Sequence, residues 1–224
     1  MTIDIITVVP DLLSGPFSHS IMKRAQDKEL LKVNVINLRE YTTYPRAQVD
    51  DYQFGGGAGM VMMMEPLVNA VEALQSKNKY DEIIFLTPDG ETFNQKMANH
   101  LSLKNNLLLI CGHYKGVDQR FRDHFVTREI SIGDYVLSGG ELAAAVLTDA
   151  IGRLIPGVLN DESSALSDSF QDNLLAPPVF TRPEVFREWK VPEVLMSGNH
   201  KIIEEWRYEE SVLRTKQRRP DLLD

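Results

Sequence analysis

Short apolar runs alternate with amphipathic stretches along most of the chain. Residues 4–9, 31–38, 82–86, 106–111 and 129–132 are rich in β-branched and other apolar side chains, which predicts buried strands. Between them, apolar positions at helical spacing predict helices over residues 11–26, 66–76, 93–103 and 117–125, with Pro66 at the first helical position. Strands that alternate with helices indicate βαβ units, so the pattern predicts an α/β fold with a mostly parallel sheet.

Three of the predicted strands end in loops that contain glycine or proline, at residues 87–90, 112–116 and 133–140. In parallel α/β sheets, ligands bind outside the carboxyl ends of the strands. The last loop belongs to the stretch SIGDYVLSGGEL, in which we predict that Ser138 caps the following helix and that Gly139 and Gly140 let the main chain approach a ligand. Alone, that stretch equally fits an ordinary strand-to-helix connection. The three loops together favour a ligand site.

A second glycine-rich stretch, DDYQFGGGAGM, covers residues 50–60 and predicts a loop with unusual backbone geometry. It lacks the Lys-Ser/Thr ending of a phosphate-binding P-loop and the spacing of a dinucleotide-binding motif. Two interpretations stay open, a mobile surface loop and a lid or substrate loop with Asp50 and Asp51 at its start.

Composition narrows the class of protein. The 224 residues are 43% hydrophobic and 25% charged, which is ordinary for a globular protein. Cys111 is the single cysteine, which excludes an intrachain disulfide and a cysteine-cluster metal site. No apolar run has membrane-spanning length and the first residues lack the pattern of a signal peptide, so we expect a cytoplasmic protein. The net charge of −8 argues against a surface that binds nucleic acid throughout, but a local basic patch remains compatible with it.

The chain divides by composition into three parts. Residues 1–159 form the predicted α/β domain, residues 160–172 form a polar, Ser/Asp-rich linker, and residues 173–224 form a small, mostly helical appendage. A helix that begins at His200 carries Trp206 and Tyr208, with basic residues near its end at Arg214, Lys216, Arg218 and Arg219. This combination suits phosphate contact with base stacking, and it equally suits a solvated helix end beside a core tryptophan.

Chemistry-bearing motifs of the common kinds are absent from the sequence, which has no HExxH, GxSxG or CxxC, and its five histidines are scattered. Asp168 lies in the polar linker, where composition alone favours a role in solubility. Arg153 lies at the end of the helix that follows SIGDYVLSGGEL, where a cation complements the helix dipole.

Several long motifs, taken in order, resemble one family over essentially the whole chain: the bacterial tRNA (guanine-N1)-methyltransferases, TrmD, of the knotted SPOUT class. The matching motifs are DDYQFGGGAGM, CGHYKGVDQR, SIGDYVLSGGEL, RLIPGVL, SALSDSF, TRPEVF, VPEVLMSGNH and RTKQRRPDLL. The resemblance implies an α/β fold whose mostly parallel sheet has helices on both faces and a deep trefoil knot, followed by a small helical C-terminal domain.

The resemblance also implies a cofactor and its binding residues. The three strand-end loops would form the knot and hold S-adenosylmethionine. The cofactor-binding residues would be Leu86, Thr87, Pro88, Gly112, Ile132, Gly133, Asp134, Tyr135, Val136, Leu137, Gly139 and Gly140.

The implied substrate is guanosine 37 of tRNA, methylated at N1 in a homodimer whose active site is shared between subunits, with Mg²⁺ as a probable requirement. Asp168 would be the general base that removes the N1 proton, and Arg153 would stabilise the negative charge that develops towards O6. Guanine N1 is protonated at neutral pH and the sulfonium methyl is already activated, so deprotonation and alignment are the tasks left to the enzyme.

One departure from the family pattern keeps two alternatives open. The chain has CGHYKG where the family often has CGRYEG, so Lys115 reverses a charge near the substrate. The first alternative is a SPOUT methyltransferase for a different RNA, and the second is a catalytically silent RNA-binding protein. Replacing guanosine 37 with adenosine tests the first, and Asp168→Ala tests the second.

Overall fold

A computed structural model of the chain describes residues 1–159 and 168–223. It divides the chain into two compact units, Met1–Asn160 and Asp161–Asp224. The strands are β1 (Thr2–Thr7), β2 (Lys32–Asn37), β3 (Asp50–Tyr52), β4 (Met60–Met62), β5 (Glu82–Thr92), β6 (Asn106–Cys111), β7 (Arg128–Ser131), β8 (Val185–Phe186) and β9 (Trp189–Lys190). The α-helices are α1 (Ser20–Asp27), α2 (Met64–Gln75), α3 (Gln95–Ser102), α4 (Gln119–Phe125), α5 (Glu141–Gly152) and α6 (His200–Arg218).

The first unit is built on a five-stranded sheet in the order β2-β1-β6-β5-β7, in which every neighbouring pair is parallel. This confirms the predicted α/β fold with a mostly parallel sheet. The central strand β6 has no exposed side chain from Leu107 to Cys111, because it is covered on both faces. An uninterrupted apolar run is the pattern that such a strand requires.

Side chains on the two faces of the sheet pack into two separate cores. Ile3 and Leu109 lie in one core, with side chains of α1, α3 and α5; Ile6 and Leu108 lie in the other, with side chains of α2 and α4. Because side chains alternate across a strand, helices on both faces are needed to cover the apolar positions. The sheet is therefore the middle layer of three.

The observed helices and strands differ from the predictions at four places, three of which concern residues 10–66. Residues 11–26 do not form one helix, because a 3₁₀ turn over Pro10–Leu13 and a break at Gly15 precede α1. Helix α2 begins at Met64, so Pro66 is its third residue; the first turn tolerates proline because its N–H groups lack partners inside the helix. Residues 50–60 contain a β-hairpin that we did not predict, since β3 and β4 pair antiparallel around the glycine-rich loop.

Strand β5 continues beyond the predicted turn. Leu86 and Glu91 both pair with Ile130 of β7, and residues 87–90 bulge out between them. Gly90 lies against the main chain of β7, where a Cβ would come within 2.6 Å of the Glu129 carbonyl carbon. The bulge projects a loop at the edge of the sheet and then returns the chain to the same neighbour.

The second unit is mostly irregular, with the hairpin β8–β9 and helix α6 as its regular elements among the described residues. Helix α6 is capped by Asn199, whose side chain accepts a hydrogen bond from the Ile202 N–H. The predicted domain boundaries stay a prediction, and residues 160–167 of the predicted linker lie outside the described residues.

Candidate active site

A cavity of about 570 Å³ opens in the first unit where β5, β6 and β7 end. Its walls are the three loops that the sequence singled out: the bulge at residues 87–90, the turn at residues 112–116 and the segment at residues 133–140. The volume falls within the range of small-molecule sites. The position matches the rule for ligands of parallel sheets.

All the predicted cofactor-binding residues except Asp134 line this cavity. The lining ones are Leu86, Thr87, Pro88, Gly112, Ile132, Gly133, Tyr135, Val136, Leu137, Gly139 and Gly140. Their role in binding remains a prediction, but their convergence from three separate loops is a property of the structure. Tyr135, Val136 and Leu137 are large side chains that are at least one-third exposed here. They give the cavity an apolar wall.

Glycines allow the cavity loops to touch each other. A Cβ at Gly140 would lie 2.7 Å from the Cys111 Cα and 3.0 Å from the Gly112 nitrogen, and the Gly140 N–H donates a hydrogen bond to the Gly112 carbonyl at 2.9 Å. The glycine pair was expected to make room for a ligand. In the structure it makes room for the neighbouring loop. Whether it also makes room for a ligand stays a prediction. The predicted cap is wrong, because Gly140 is the N-cap of α5 and no side chain caps it, Ser138 included.

An arginine that sequence reasoning did not single out anchors the first cavity loop. Arg122 of α4 donates hydrogen bonds to Glu129 at 2.8 Å and 2.6 Å and to Asp89, in the bulge, at 2.7 Å. Its guanidinium also lies over the Phe85 ring. The hydrogen bond from Arg122 lowers the pKa of Asp89, with a smaller contribution from Thr87. Glu129 follows Arg122 by 7 residues, but Asp89 precedes it by 33, so the three residues form no sequence motif.

A buried carboxylate joins the second and third loops. Glu141, at the start of α5, has no exposed surface; it accepts a hydrogen bond from the Thr7 hydroxyl and lies 3.0 Å from His113 Nε2. Next to it, burial raises the pKa of the Cys111 thiol, and the charge of Glu141 raises it further. Cys111 is thus a buried, protonated side chain at the end of an apolar strand.

The glycine-rich hairpin adjoins the second cavity loop. The Met62 N–H donates to the Gly116 carbonyl and the Lys115 N–H donates to the Met60 carbonyl, both at 2.9 Å. In the hairpin, Tyr52 and Phe54 are almost fully exposed. The interpretation of this segment as a lid or substrate loop stays a prediction, now with a physical connection to the cavity.

The two predicted catalytic residues belong to different units. Arg153 follows the last residue of α5, and its N–H donates to the Asp149 carbonyl at 3.1 Å. Asp168 lies in the second unit, where it lines a cavity of about 1240 Å³ together with Arg182, Arg207 and other residues of that unit. Beside it, Ser169 accepts a hydrogen bond from the Ala176 N–H at 3.0 Å. This hydrogen bond connects the residue after Asp168 with Ala176.

Helix α6 divides its aromatic residues between two environments. Trp206 is half-buried and lies against Phe180, with 6.4 Å between the ring centroids, whereas Tyr208 is exposed. Arg207 pairs with Glu204 at 2.6 Å. The packing of Trp206 fits the interpretation of a helix beside a core tryptophan, and the interpretation of phosphate contact with base stacking stays a prediction.

Within residues 1–159 and 168–223, no three His, Cys, Asp or Glu side chains converge so as to hold a metal ion. In that part of the chain, no helix is long and apolar enough to span a bilayer. The Mg²⁺ implied by the resemblance therefore has no ligand set among the described side chains.

Comparison with known proteins places this geometry in context. A family model described as "tRNA (Guanine-1)-methyltransferase TrmD" matches residues 1–224. A Flavobacterium johnsoniae protein named tRNA (guanine-N(1)-)-methyltransferase is 64% identical over 224 residues, which are 100% of this chain and 99% of the relative. Proteins of the same name from Bacteroides fragilis and Cytophaga hutchinsonii are each 60% identical, over 100% and 99% of this chain and 100% and 94% of their own lengths.

Proposed function

The chain belongs to the TrmD family of tRNA (guanine-N1)-methyltransferases, and from this premise we propose that it transfers a methyl group from S-adenosylmethionine to N1 of guanosine 37 in tRNA. The observation that carries the proposal is the cavity at the ends of β5, β6 and β7, where the three predicted strand-end loops converge, two of them within the motifs CGHYKGVDQR and SIGDYVLSGGEL. We further propose a trefoil knot in these loops, a small helical C-terminal domain that binds tRNA, a cytoplasmic location and a homodimer.

The cavity suits the proposed cofactor. The side chains of Leu86, Ile132 and Leu137 can cover an adenine ring. The main chain of the loops can supply hydrogen-bonding groups for the edge of that ring. S-adenosylmethionine would supply an electrophilic methyl group on a sulfonium centre. The loops would hold that methyl group in line with the attacking nitrogen and exclude water from it.

In the proposed mechanism, Asp168 accepts the proton from guanine N1 while the N1 lone pair attacks the methyl carbon. The carbon–sulfur bond breaks and its electrons stay on sulfur, which leaves S-adenosylhomocysteine and 1-methylguanosine. Arg153 stabilises the charge that deprotonation places on O6. From the family we propose that Arg153 and Asp168 act on one guanine in an active site shared between subunits.

The experiment measures methyl transfer from labelled S-adenosylmethionine to a tRNA transcript with guanosines at positions 36 and 37, with and without Mg²⁺, and maps the product by primer extension. We expect a block at position 37 with the native chain and a rate lower by roughly 100-fold to 10,000-fold with Asp168→Ala, since a general base contributes about that much. Asp172→Asn is the matched control, because Asp172 is an exposed carboxylate near Asp168; we expect it to be within about twofold of the native rate.

Two results would contradict the proposal. Methylation that persists after replacement of guanosine 37 with adenosine would move the target to another RNA position. Cofactor and tRNA binding without any transfer, unchanged by Asp168→Ala, would favour a catalytically silent RNA-binding protein.

A further inference from the structure

The charged side chains that line the cavity of the first unit are mostly neutralised by neighbours. Arg122 and Asp89 pair with each other, and His113 lies 3.0 Å from the carboxylate of Glu141. Lys115 differs from them: among residues 1–159 and 168–223, no side chain or carbonyl forms a hydrogen bond or an ion pair with its ammonium group. Lys115 therefore brings an uncompensated positive charge to the cavity.

The glycine-rich hairpin contacts both the main chain and the side chain of Lys115. The Lys115 N–H donates to the Met60 carbonyl at 2.9 Å, and the aliphatic stem lies along Gly59. A Cβ at Gly59 would come within 2.8 Å of the Lys115 Cγ and 3.0 Å of its Cε, so the stem is seated where a larger residue would displace it. A side chain whose aliphatic part is already packed against a neighbour loses less rotamer entropy when its ammonium group binds a ligand.

Lys115 is exposed, and an ammonium group at a cavity wall pairs best with an oxygen anion. The proposed reaction brings two such oxygens to this cavity. One belongs to the carboxylate of S-adenosylmethionine. The other is O6 of the target guanine, which becomes negative when N1 loses its proton.

We propose that the Lys115 ammonium binds an anionic oxygen of the bound ligand, either the cofactor's carboxylate or O6 of the deprotonated guanine. This inference rests on the proposed function and adds a residue to it. If the carboxylate is the partner, Lys115 determines cofactor affinity. If O6 is the partner, Lys115 stabilises the transition state and acts as a catalytic residue.

The test compares the native chain with Lys115→Met, which keeps the length of the side chain without its charge, and with Lys115→Arg, which keeps the charge. Lys96→Met is the matched control, because Lys96 is an exposed lysine of α3 outside the cavity. Thermal unfolding of each free variant checks that the fold is unchanged. Calorimetry then measures the dissociation constants of S-adenosylmethionine and of its decarboxylated form. Single-turnover kinetics with saturating cofactor and tRNA measure the transfer rate.

A carboxylate partner would make Lys115→Met bind S-adenosylmethionine about tenfold more weakly, a change that diminishes at high salt, while the decarboxylated cofactor binds the native chain and the variant equally. An O6 partner would leave both dissociation constants unchanged and lower the single-turnover rate by about tenfold, with tRNA affinity preserved. In either case Lys115→Arg restores most of the loss and Lys96→Met shows none.

The inference is overturned if Lys115→Met changes neither the cofactor affinity nor the transfer rate by more than about twofold, or if Lys115→Arg is as impaired as Lys115→Met. These outcomes differ from a failure of the proposed function. In that case the native chain itself would fail to bind S-adenosylmethionine or to methylate the transcript.

Discussion

At Gly140 the main chain of one cavity loop touches that of another, with space for a hydrogen atom and none for a side chain. The neighbours that a Cβ would meet are the Cys111 Cα and the Gly112 nitrogen, at 2.7 Å and 3.0 Å. Backbone atoms of two packed loops cannot rotate away as the end of a long side chain can. The requirement for glycine here is a matter of contact between loops, since Gly140 does not have a positive φ.

Gly140→Ala tests this contact. We expect it to lower the free energy of unfolding by about 1–3 kcal/mol, as overpacking of a close-packed site does, and to weaken cofactor binding because the loops separate. Urea unfolding and calorimetry measure the two effects. Gly15→Ala is the control, since nothing lies within 4 Å of a Cβ at Gly15; equal stability of the two variants would contradict the argument.

At the scale of elements, the bulge in β5 depends on α4 for its position. Residues 87–90 leave the sheet between two pairings with Ile130, and Arg122 of α4 holds the bulge through Asp89 and the following strand through Glu129. The Arg122 side chain is only 18% exposed, and its partners Glu129 and Asp89 are 31% and 62% exposed, so the pair with Glu129 is the better shielded of the two. The wall of the cavity is thus held by an arginine from the helix that precedes β7.

We predict that Arg122→Ala lowers the free energy of unfolding by roughly 1–3 kcal/mol and weakens cofactor binding about tenfold, because two carboxylates lose a shared donor and the bulge loses its anchor. Lysine at this position should restore only part of the affinity, since it cannot bridge both acids with a planar fork. Denaturant unfolding and calorimetry provide the measurements.

Arg120→Ala is the comparison variant for Arg122→Ala. Arg120 also pairs with an aspartate, Asp118, but its side chain is 64% exposed. An exposed pair contributes up to about 1 kcal/mol, so both stability and cofactor affinity should change little. If the Arg120 and Arg122 variants behave alike, the bulge does not depend on Arg122.

The sequence predicted the elements whose apolar pattern was continuous and missed those fixed by distant partners. The runs that became β1, β5, β6 and β7 were visible because covered strands must be apolar. The hairpin β3–β4 was hidden because its strands are three residues long and the glycines between them dominate the pattern. The cavity loops could be predicted from glycine and proline at strand ends. The contact between Arg122 and Asp89 could not, because no local periodicity connects α4 with the bulge.

At the scale of the whole molecule, the proposed chemistry is distributed over two units. Arg153 directly follows α5 in the first unit, and Asp168 lies in the second. The proposed homodimer would combine Arg153 of one subunit with Asp168 of the other. This arrangement makes a prediction about mixtures of two inactive variants.

Arg153→Ala and Asp168→Ala should each be inactive, and a mixture refolded or co-expressed at equal amounts should recover about one quarter of the native activity. Half of the dimers would then contain one chain of each variant. In each of these, one of the two sites would have both a native Arg153 and a native Asp168. Activity assays on the mixture, with dimer formation followed by light scattering, provide the test. Recovery would not occur if both residues of a site came from the same chain.

The order of the sheet also has a consequence for how the chain is made. Strand β1, at residues 2–7, pairs with β2 on one side and with β6, at residues 106–111, on the other. During translation, β1 cannot pair with β6 until residues 106–111 have been synthesised. Until then, one edge of β1 has no partner strand and its isoleucines are not covered. Pairing between such distant segments is slow, and apolar surface stays exposed until it is complete. Chaperones that shield emerging chains are thus expected to matter more for the yield of this protein than for its final stability.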